Sequence, residues 1–254
     1  MAGLVVVLAA VIVALPTSAA GPGRAAVAGA VLVALTAAAA AVRSAPATRA
    51  LVFLDVVFAV FAAGSLSGWP PPLTAVLVCV LPLGVLLGCA RAGWLQPAAP
   101  WLRRGHSDPA TLALGAGTVV LAGVGLTLWA VTVRPEPAPY LLALQALPVW
   151  VGVAGVAGFA LVNPLWEEAL FRGVLLEELT GTWGVRAALT VQALVFGAAH
   201  WAGSPSGWVG MCMAAAWGLA LGVIRVRSAG ILVPYLVHVC ANAVIGGLAL
   251  ALLR

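Results

Sequence analysis

The chain contains no lysine and very little charge of either sign. Only 7% of its 254 residues are charged and 64% are hydrophobic, whereas roughly 25% of the residues in a soluble domain are charged. The 12 basic residues are all arginines, and most stand at the ends of apolar runs, where the membrane interface accounts for them. This composition excludes an ordinary soluble domain and indicates no nucleic-acid partner.

Cysteine is also scarce. The four cysteines lie within apolar runs and form no CxxC pair, which argues against a disulfide framework or a structural zinc site. We expect Cys79, Cys89, Cys212 and Cys240 to be small residues of the core.

Long apolar runs are abundant, and about 20 such residues are needed to cross the roughly 30 Å of hydrocarbon in a bilayer. They predict an all-α fold, a polytopic transmembrane helical bundle of about eight to ten helices in the cell membrane, with the lipid bilayer as its surroundings. The expected helices lie near 2–20, 25–42, 50–66, 73–90, 110–133, 140–162, 164–180, 186–202, 207–225 and 229–250. The first run also resembles a secretory signal, but no basic segment precedes it, so we interpret it as a span.

Polar side chains divide the chain into two parts. Residues 1–139 are predicted to be N-terminal transmembrane helices with no recognised motif, whereas residues 140–254 carry polar groups inside spans. In the first part Asp55 is expected to reach the interface or to pair with Arg49. An acidic or basic residue at a helix centre costs about 2.5–3.5 kcal/mol on insertion scales, so the polar groups of the second part need a cause.

The stretch NPLWEEALFRG is the most charged of these segments. Asn163 and Pro164 are expected to be the N-cap and the first position of a helix. Arg172 follows Glu168 by four residues and can pair with it on one helical face. Glu167 is turned by about 100° from Glu168, and we expect no partner for it within its own helix. It is the candidate general base.

Two further segments carry polar groups within apolar runs. FGAAH ends at His200, and PYLVHVCAN places His238 and Asn242 four residues apart on one face of a helix. One carboxylate, two imidazoles and a carboxamide provide a base, an orienting group and oxyanion donors. Together they favour water-mediated hydrolysis of an amide.

These three elements, in this order, resemble the CPBP family of intramembrane proteases, also called the CAAX protease and bacteriocin-processing or Abi family. The family pattern is EExxxR, then FxxxH, then HxxxN or HxxxD. It is matched here by EEALFR at 167–172, FGAAH at 196–200 and HVCAN at 238–242. The resemblance covers roughly residues 160–250. It implies that residues 140–254 are the catalytic transmembrane core and that residues 1–139 are the variable N-terminal helices.

The resemblance implies an intramembrane endopeptidase that hydrolyses a peptide bond with glutamate-activated water. Its substrate would be a membrane-associated protein or peptide. The implied catalytic residues are Glu167 as base, His200 as its partner on the water, and His238 with Asn242 as oxyanion donors. Glu168, Arg172 and Phe196 would support the site. No obligatory cofactor is expected, although Glu167, His200 and His238 could hold a divalent metal such as zinc.

Other functions fit parts of the same pattern. A catalytically silent membrane binding or immunity protein would keep the fold without turnover, and a small transporter would also bury Glu, His and Asn side chains. We find no inverted internal repeat of the kind that many transporters contain. The HExxH, paired-aspartate and GxSG signatures of other intramembrane proteases are absent from the sequence. A prenylated CAAX protein, a bacteriocin leader peptide and a membrane-bound regulator all remain open as substrates.

Overall fold

The computed structural model describes residues 2–14, 21–133, 148–203 and 205–252. Within these residues the chain is all-helical and forms nine continuous helices. They are α1 Ala2–Ala14, α2 Gly21–Ala41, α3 Ala45–Ser67, α4 Pro71–Arg91, α5 Pro109–Val133, α6 Val149–Trp183, α7 Val185–Ala199, α8 Gly207–Ser228 and α9 Leu232–Leu252. All except α1 and α7 are long and apolar enough to cross a membrane. The predicted polytopic helical bundle is confirmed, and the protein is a multi-pass membrane protein.

The helix boundaries differ most from expectation around Pro164. A span ending at 162 and a separate helix over 164–180 are wrong, as is the N-cap at Asn163, because α6 is continuous and Pro164 lies inside it. Proline removes one backbone donor, but ending the helix within hydrocarbon would leave several backbone groups unpaired at several kcal/mol each. Continuing the helix is therefore the less costly conformation.

A π-helical segment, Glu168–Leu175, interrupts the α-helical geometry of α6. The α-helical part before it is Val149–Glu167, and the part after it is Leu176–Trp183. A π turn inserts extra backbone into the helix and changes the direction of the side chains, and such turns are frequent at functional sites. In α6 the change from α-helical to π-helical geometry falls between Glu167 and Glu168.

Helices α7 and α8 pack closely because small residues line their contact. A Cβ atom added at Gly197 would lie 2.6 Å from the backbone oxygen of Met211, and one at Gly218 would lie 3.1 Å from the Phe196 ring. Glycine allows the two backbones to approach, as is common between membrane helices. The approach places the Gly218 carbonyl beside the polar side chains of α6 and α7.

The segment between α4 and α5 is held against the turn between α8 and α9. The His106 N–H donates to the Ser228 carbonyl and the Ile231 N–H donates to the Arg103 carbonyl, each at 2.8 Å. Gly105 has a φ of 74°, and a Cβ atom there would lie 2.3 Å from the Ser228 oxygen. Only glycine fits both the conformation and the space.

Ion pairs join the same region to the C-terminal part of α6. Glu178 accepts from the Arg49 guanidinium at 2.6 Å, and both side chains are buried. Glu177 pairs with Arg103 at 2.9 Å and with Arg225 at 3.3 Å. These contacts tie α3, α6, α8 and the α4–α5 segment together at one end of the bundle.

Two expectations for the remaining helices are wrong. Of the two alternatives for Asp55, pairing with Arg49 is not formed, because Arg49 is bound to Glu178; Asp55 accepts a hydrogen bond from the Thr36 hydroxyl at 2.7 Å. All four cysteines are free, but Cys212 and Cys240 are exposed rather than part of the core. Lipid tails are as apolar as the protein core, so an apolar residue in a membrane helix can face either one. Position in an apolar run therefore does not predict that a cysteine is buried.

Candidate active site

The two glutamates of the first motif lie at the junction of the α-helical and π-helical parts of α6. Glu167 is 6% exposed and Glu168 is 1% exposed. Buried carboxylates need partners, and α6 itself and α9 supply them.

Glu168 is paired with a buried cation. Its Oε1 lies 3.1 Å from Arg172 Nη1, which is the contact expected from their spacing, and 2.8 Å from His238 Nδ1. Arg172 is fully buried; its Nη2 donates to the Gly218 carbonyl at 3.3 Å, and its guanidinium stacks 4.4 Å from the centre of the Phe196 ring. The positive charge of Arg172 therefore stabilises Glu168 as a carboxylate.

Glu167 has different partners on its two oxygens. Its Oε1 accepts a hydrogen bond from Asn163 Nδ2 at 2.9 Å. Its Oε2 lies 3.4 Å from His238 Nε2 and makes no hydrogen bond within the described residues. The expectation that Glu167 has no partner in its own helix is wrong, because Asn163 lies one turn earlier in the same helix and is not an N-cap.

His238 lies between the two glutamates and is 3% exposed. Glu168 faces its Nδ1 and Glu167 faces its Nε2, so the adjacent glutamates of α6 meet two different nitrogens of one ring. Because the ionised Glu168 can only accept, we assign the hydrogen of neutral His238 to Nδ1, which leaves Nε2 as an acceptor. The ring is also held edge-on by Trp217, with centroids 5.8 Å apart.

Asn242 lies one turn after His238 in α9 and is 4% exposed. Its Nδ2 atom is buried and has no hydrogen-bond partner among the described residues. A buried amide donor without a protein partner is costly unless a water or a ligand supplies the acceptor. Asn242 is thus a free donor on the helix that carries His238.

His200 lies at the C-terminal end of α7 and is half-buried. Its Nδ1 lies 2.8 Å from the Phe196 carbonyl, and its ring stacks on Phe196 with centroids 4.4 Å apart. In the part of the chain that the structure describes, it makes no hydrogen bond to Glu167 or Glu168. The structure thus brings together Glu167, Glu168, Arg172 and His238, whereas His200 is connected to them through the Phe196 ring.

Glu167, His200 and His238 are the three residues that the sequence suggests could hold a metal ion. Across the described ranges, no group of three or more His, Cys, Asp or Glu side chains is placed to hold a metal ion. Glu167 and His238 are adjacent, whereas His200 meets them through the Phe196 ring; its Nδ1 bonds its own helix, which leaves Nε2 free. The expectation that no metal is obligatory stays a prediction.

A cavity of about 510 Å³ lies between α1, α3, α4 and α6. Apolar and aromatic side chains line most of it, including Phe58, Trp69 and Phe171, and its wall on α6 includes Asn163 and Trp166. The residue that donates to Glu167 thus also borders space large enough for a bulky apolar group.

Sequence reasoning missed three residues of this site. Asn163 was interpreted as a helix cap, and Trp166, whose Nε1 donates to Asn163 Oδ1 at 3.1 Å, was not considered. Gln192 is fully buried and its Nε2 donates at 2.9 Å to the Gly218 carbonyl, which also accepts from Arg172. The signal for Gln192 was present, since a polar side chain in an apolar run, one turn before Phe196, needs a partner in hydrocarbon.

Comparison with known proteins identifies the part of the chain that contains these residues. No curated protein and no solved structure matches the chain significantly. Residues 148–244 match a family model described as type II CAAX prenyl endopeptidase Rce1-like. The matched segment includes α6, α7, α8 and most of α9, and hence all three motifs. Residues 148–244 are therefore a domain of the Rce1-like family of CAAX proteases.

Proposed function

We propose that the protein is an intramembrane endopeptidase of the cell membrane in which Glu167 activates the water that hydrolyses a peptide bond of a membrane-associated protein or peptide. Membership of a CAAX protease family supports a hydrolase that acts on peptide bonds. The observation that carries the proposal is the inequality of the two adjacent glutamates around His238.

The inequality selects Glu167 as the base. Glu168 shares its Oε1 between Arg172 and His238, so taking a proton would break a buried ion pair. Among the described residues, no arginine lies within 4.0 Å of the Glu167 carboxylate, and its Oε2 faces His238 without a hydrogen bond. A general base needs an oxygen that is free to accept a proton, and Glu167 has one.

The proposed reaction begins with a water bound by two acceptors, Glu167 Oε2 and His238 Nε2. A water that lies beside both Glu167 Oε2 and the unprotonated His238 Nε2, which are 3.4 Å apart, would donate one hydrogen to each and direct its lone pair away from both. The water oxygen bonds to the substrate carbonyl carbon while Glu167 takes one proton. The carbonyl oxygen becomes an oxyanion, which accepts a hydrogen bond from Asn242 Nδ2. The C–N bond then breaks, and the proton passes from Glu167 to the amine, leaving a carboxylic acid and an amine.

His238 and His200 have secondary roles in this scheme. Glu168 orients His238 by accepting from its Nδ1, which keeps Nε2 unprotonated, so we assign oxyanion donation to Asn242 alone. The resemblance assigned it to His238 and Asn242 together. With its Nδ1 donating to Phe196, His200 presents an accepting Nε2. We keep it as the candidate second partner of the water.

Glu167→Gln tests the proposal because it keeps the size of the side chain but cannot accept a proton. We expect activity to fall by about 10²–10⁴-fold. The measurement compares membrane proteomes of cells that carry the wild type or the variant at matched abundance, and searches for a peptide that accumulates uncut. A farnesylated CAAX peptide is the first defined probe to be tested with purified protein.

Glu177→Gln is the matched control, because Glu177 lies on the same helix in a partly exposed ion pair. We expect it to retain wild-type cleavage. A silent binding or immunity protein would tolerate Glu167→Gln, since an amide oxygen still accepts a hydrogen bond. Full function of Glu167→Gln would therefore refute catalysis and favour the binding function.

A further inference from the structure

We propose that Asn163, oriented by the indole of Trp166, is the positioning residue that aims the Glu167 carboxylate at His238. This inference rests on the proposed function, in which Glu167 is the base. It assigns a role to a residue outside the three motifs, and the contacts of Asn163, the orientation of its amide and the cavity beside it each support the role.

The first support is the pair of contacts made by the Glu167 carboxylate. Asn163 Nδ2 holds Oε1 at 2.9 Å, while Oε2 lies 3.4 Å from His238 Nε2. The last torsion of a glutamate side chain is broad, so little else determines the plane of the carboxylate. A donor on one oxygen sets that plane and leaves the other oxygen facing His238.

The second support is that the orientation of the Asn163 amide is itself determined. An amide can present its nitrogen or its oxygen to Glu167, and only the nitrogen is a donor. Trp166 Nε1 is a donor only, so Asn163 Oδ1 must face it, at 3.1 Å. The indole is in turn packed edge-to-face on Phe61 of α3, with centroids 5.2 Å apart. The packing of α3 on α6 thereby directs Asn163 Nδ2 to Glu167.

The third support is the cavity of about 510 Å³ between α1, α3, α4 and α6. Asn163 and Trp166 both line it. The residues that hold the base therefore form part of a wall that a bound apolar group would contact. Asn163 and Trp166 therefore both position the Glu167 carboxylate and line the cavity.

Chemical labelling of Glu167 tests the role without a known substrate. The probe is dicyclohexylcarbodiimide, an apolar reagent that attacks the protonated form of carboxyl groups, with the modified peptide quantified by mass spectrometry on the purified full-length protein. A donated hydrogen bond favours the ionised form, and bonds to charged groups are the stronger ones. We expect Asn163→Leu, which keeps the side-chain size, to be labelled at Glu167 about tenfold to hundredfold faster than wild type.

Three further variants separate positioning from a structural role. Asn163→Gln restores a donor and should return labelling towards the wild-type rate. Trp166→Phe keeps the aromatic packing but frees the amide to turn, so its labelling should be intermediate. Cys79→Ala removes a different contact to α6, from Sγ to the Val162 carbonyl at 3.7 Å, and should label like wild type.

The inference is overturned if Asn163→Leu labels at the wild-type rate, or if Cys79→Ala labels as fast as Asn163→Leu. If Asn163→Leu does not fold, Trp166→Phe takes its place: it should be labelled faster than the wild type and faster than Asn163→Gln, and a wild-type rate overturns the inference. With a cleaved peptide in hand, Asn163→Leu should lower kcat by about tenfold or more with little change in KM. Active Glu167→Gln would refute the proposed function, whereas unchanged labelling refutes only the role of Asn163.

Discussion

In the described part of the chain, Arg172 is the only arginine within salt-bridge distance of Glu168, and His238 is its other close partner. Replacing Arg172 with alanine removes this cation. Arg172 is fully buried and also donates to the Gly218 carbonyl, so the substitution leaves both a carboxylate and a carbonyl with fewer partners. Breaking a buried ion pair on one side costs about 3–5 kcal/mol. Since His238 still faces Glu168 Oε1 at 2.8 Å, we expect a value near the lower end, about 3 kcal/mol.

Thermal unfolding in detergent, followed by intrinsic fluorescence, measures this loss. Soluble domains of this size shift by about 2–4 °C for each kcal/mol, so we expect Arg172→Ala to lower the Tm by roughly 6–12 °C. Arg103→Ala is the control, because its ion pair with Glu177 is half exposed, with side-chain accessibilities of 51% and 30%. Exposed pairs contribute about 0–1 kcal/mol, and the control should shift the Tm little.

The double variant Glu168→Gln with Arg172→Met checks the cause. Replacing both charges removes the uncompensated carboxylate, so the double variant should be more stable than Arg172→Ala. Equal Tm values for Arg172→Ala and Arg103→Ala would show that burial does not govern the strength of this ion pair. Normal stability with lost cleavage would instead assign Arg172 to substrate binding.

Three further outcomes can be measured with the same protein. Gly173→Ala should destabilise the protein by about 1–3 kcal/mol in thermal unfolding, because the new Cβ would lie 2.5 Å from the Trp101 ring. Gly181→Ala on the same helix meets open space and should stabilise the protein by up to about 1 kcal/mol. Hydrogen bonds from the Thr111 hydroxyl and then from its N–H lower the pKa of Asp108 below 3.8. That stabilisation is present above the ordinary pKa and lost as the pH falls through the lowered one, so Asp108→Ala should reduce the Tm at pH 7 and progressively less as the pH falls below 3.8. Treatment with 1,10-phenanthroline should leave cleavage of the peptide substrate unchanged, and loss of activity restored by added zinc would refute the metal-free scheme.

The helical fold was predictable because each span is encoded locally. A run of about 20 apolar residues has one stable arrangement in hydrocarbon, a helix with all its backbone groups paired within the segment. The exception was Pro164, where a rule from soluble proteins predicted a break. In water a proline often ends a helix because solvent satisfies the freed groups, but hydrocarbon offers no such partner, and α6 continues through it.

The pairing of Glu168 with Arg172 was predictable for the same reason, since four residues along one helix bring them together whatever else is nearby. The partner of Glu167 was misjudged although Asn163 is also four residues away. Assigning Asn163 to a helix start removed it from that face. An error in one helix boundary thus became an error in the proposed environment of the base.

The sequence by itself determined that the chain contains repeated apolar spans, because hydropathy is a local property, and it predicted which motif residues carry the chemistry. Only the tertiary structure decided that His238 of α9 lies between Glu167 and Glu168, that the Gly218 carbonyl receives both Arg172 and a side chain of α7, and that His200 meets the site through Phe196. These contacts join residues far apart in the chain. They depend on the π turn of α6 and on the close approach that glycines allow between α7 and α8, which no spacing along a single helix specifies.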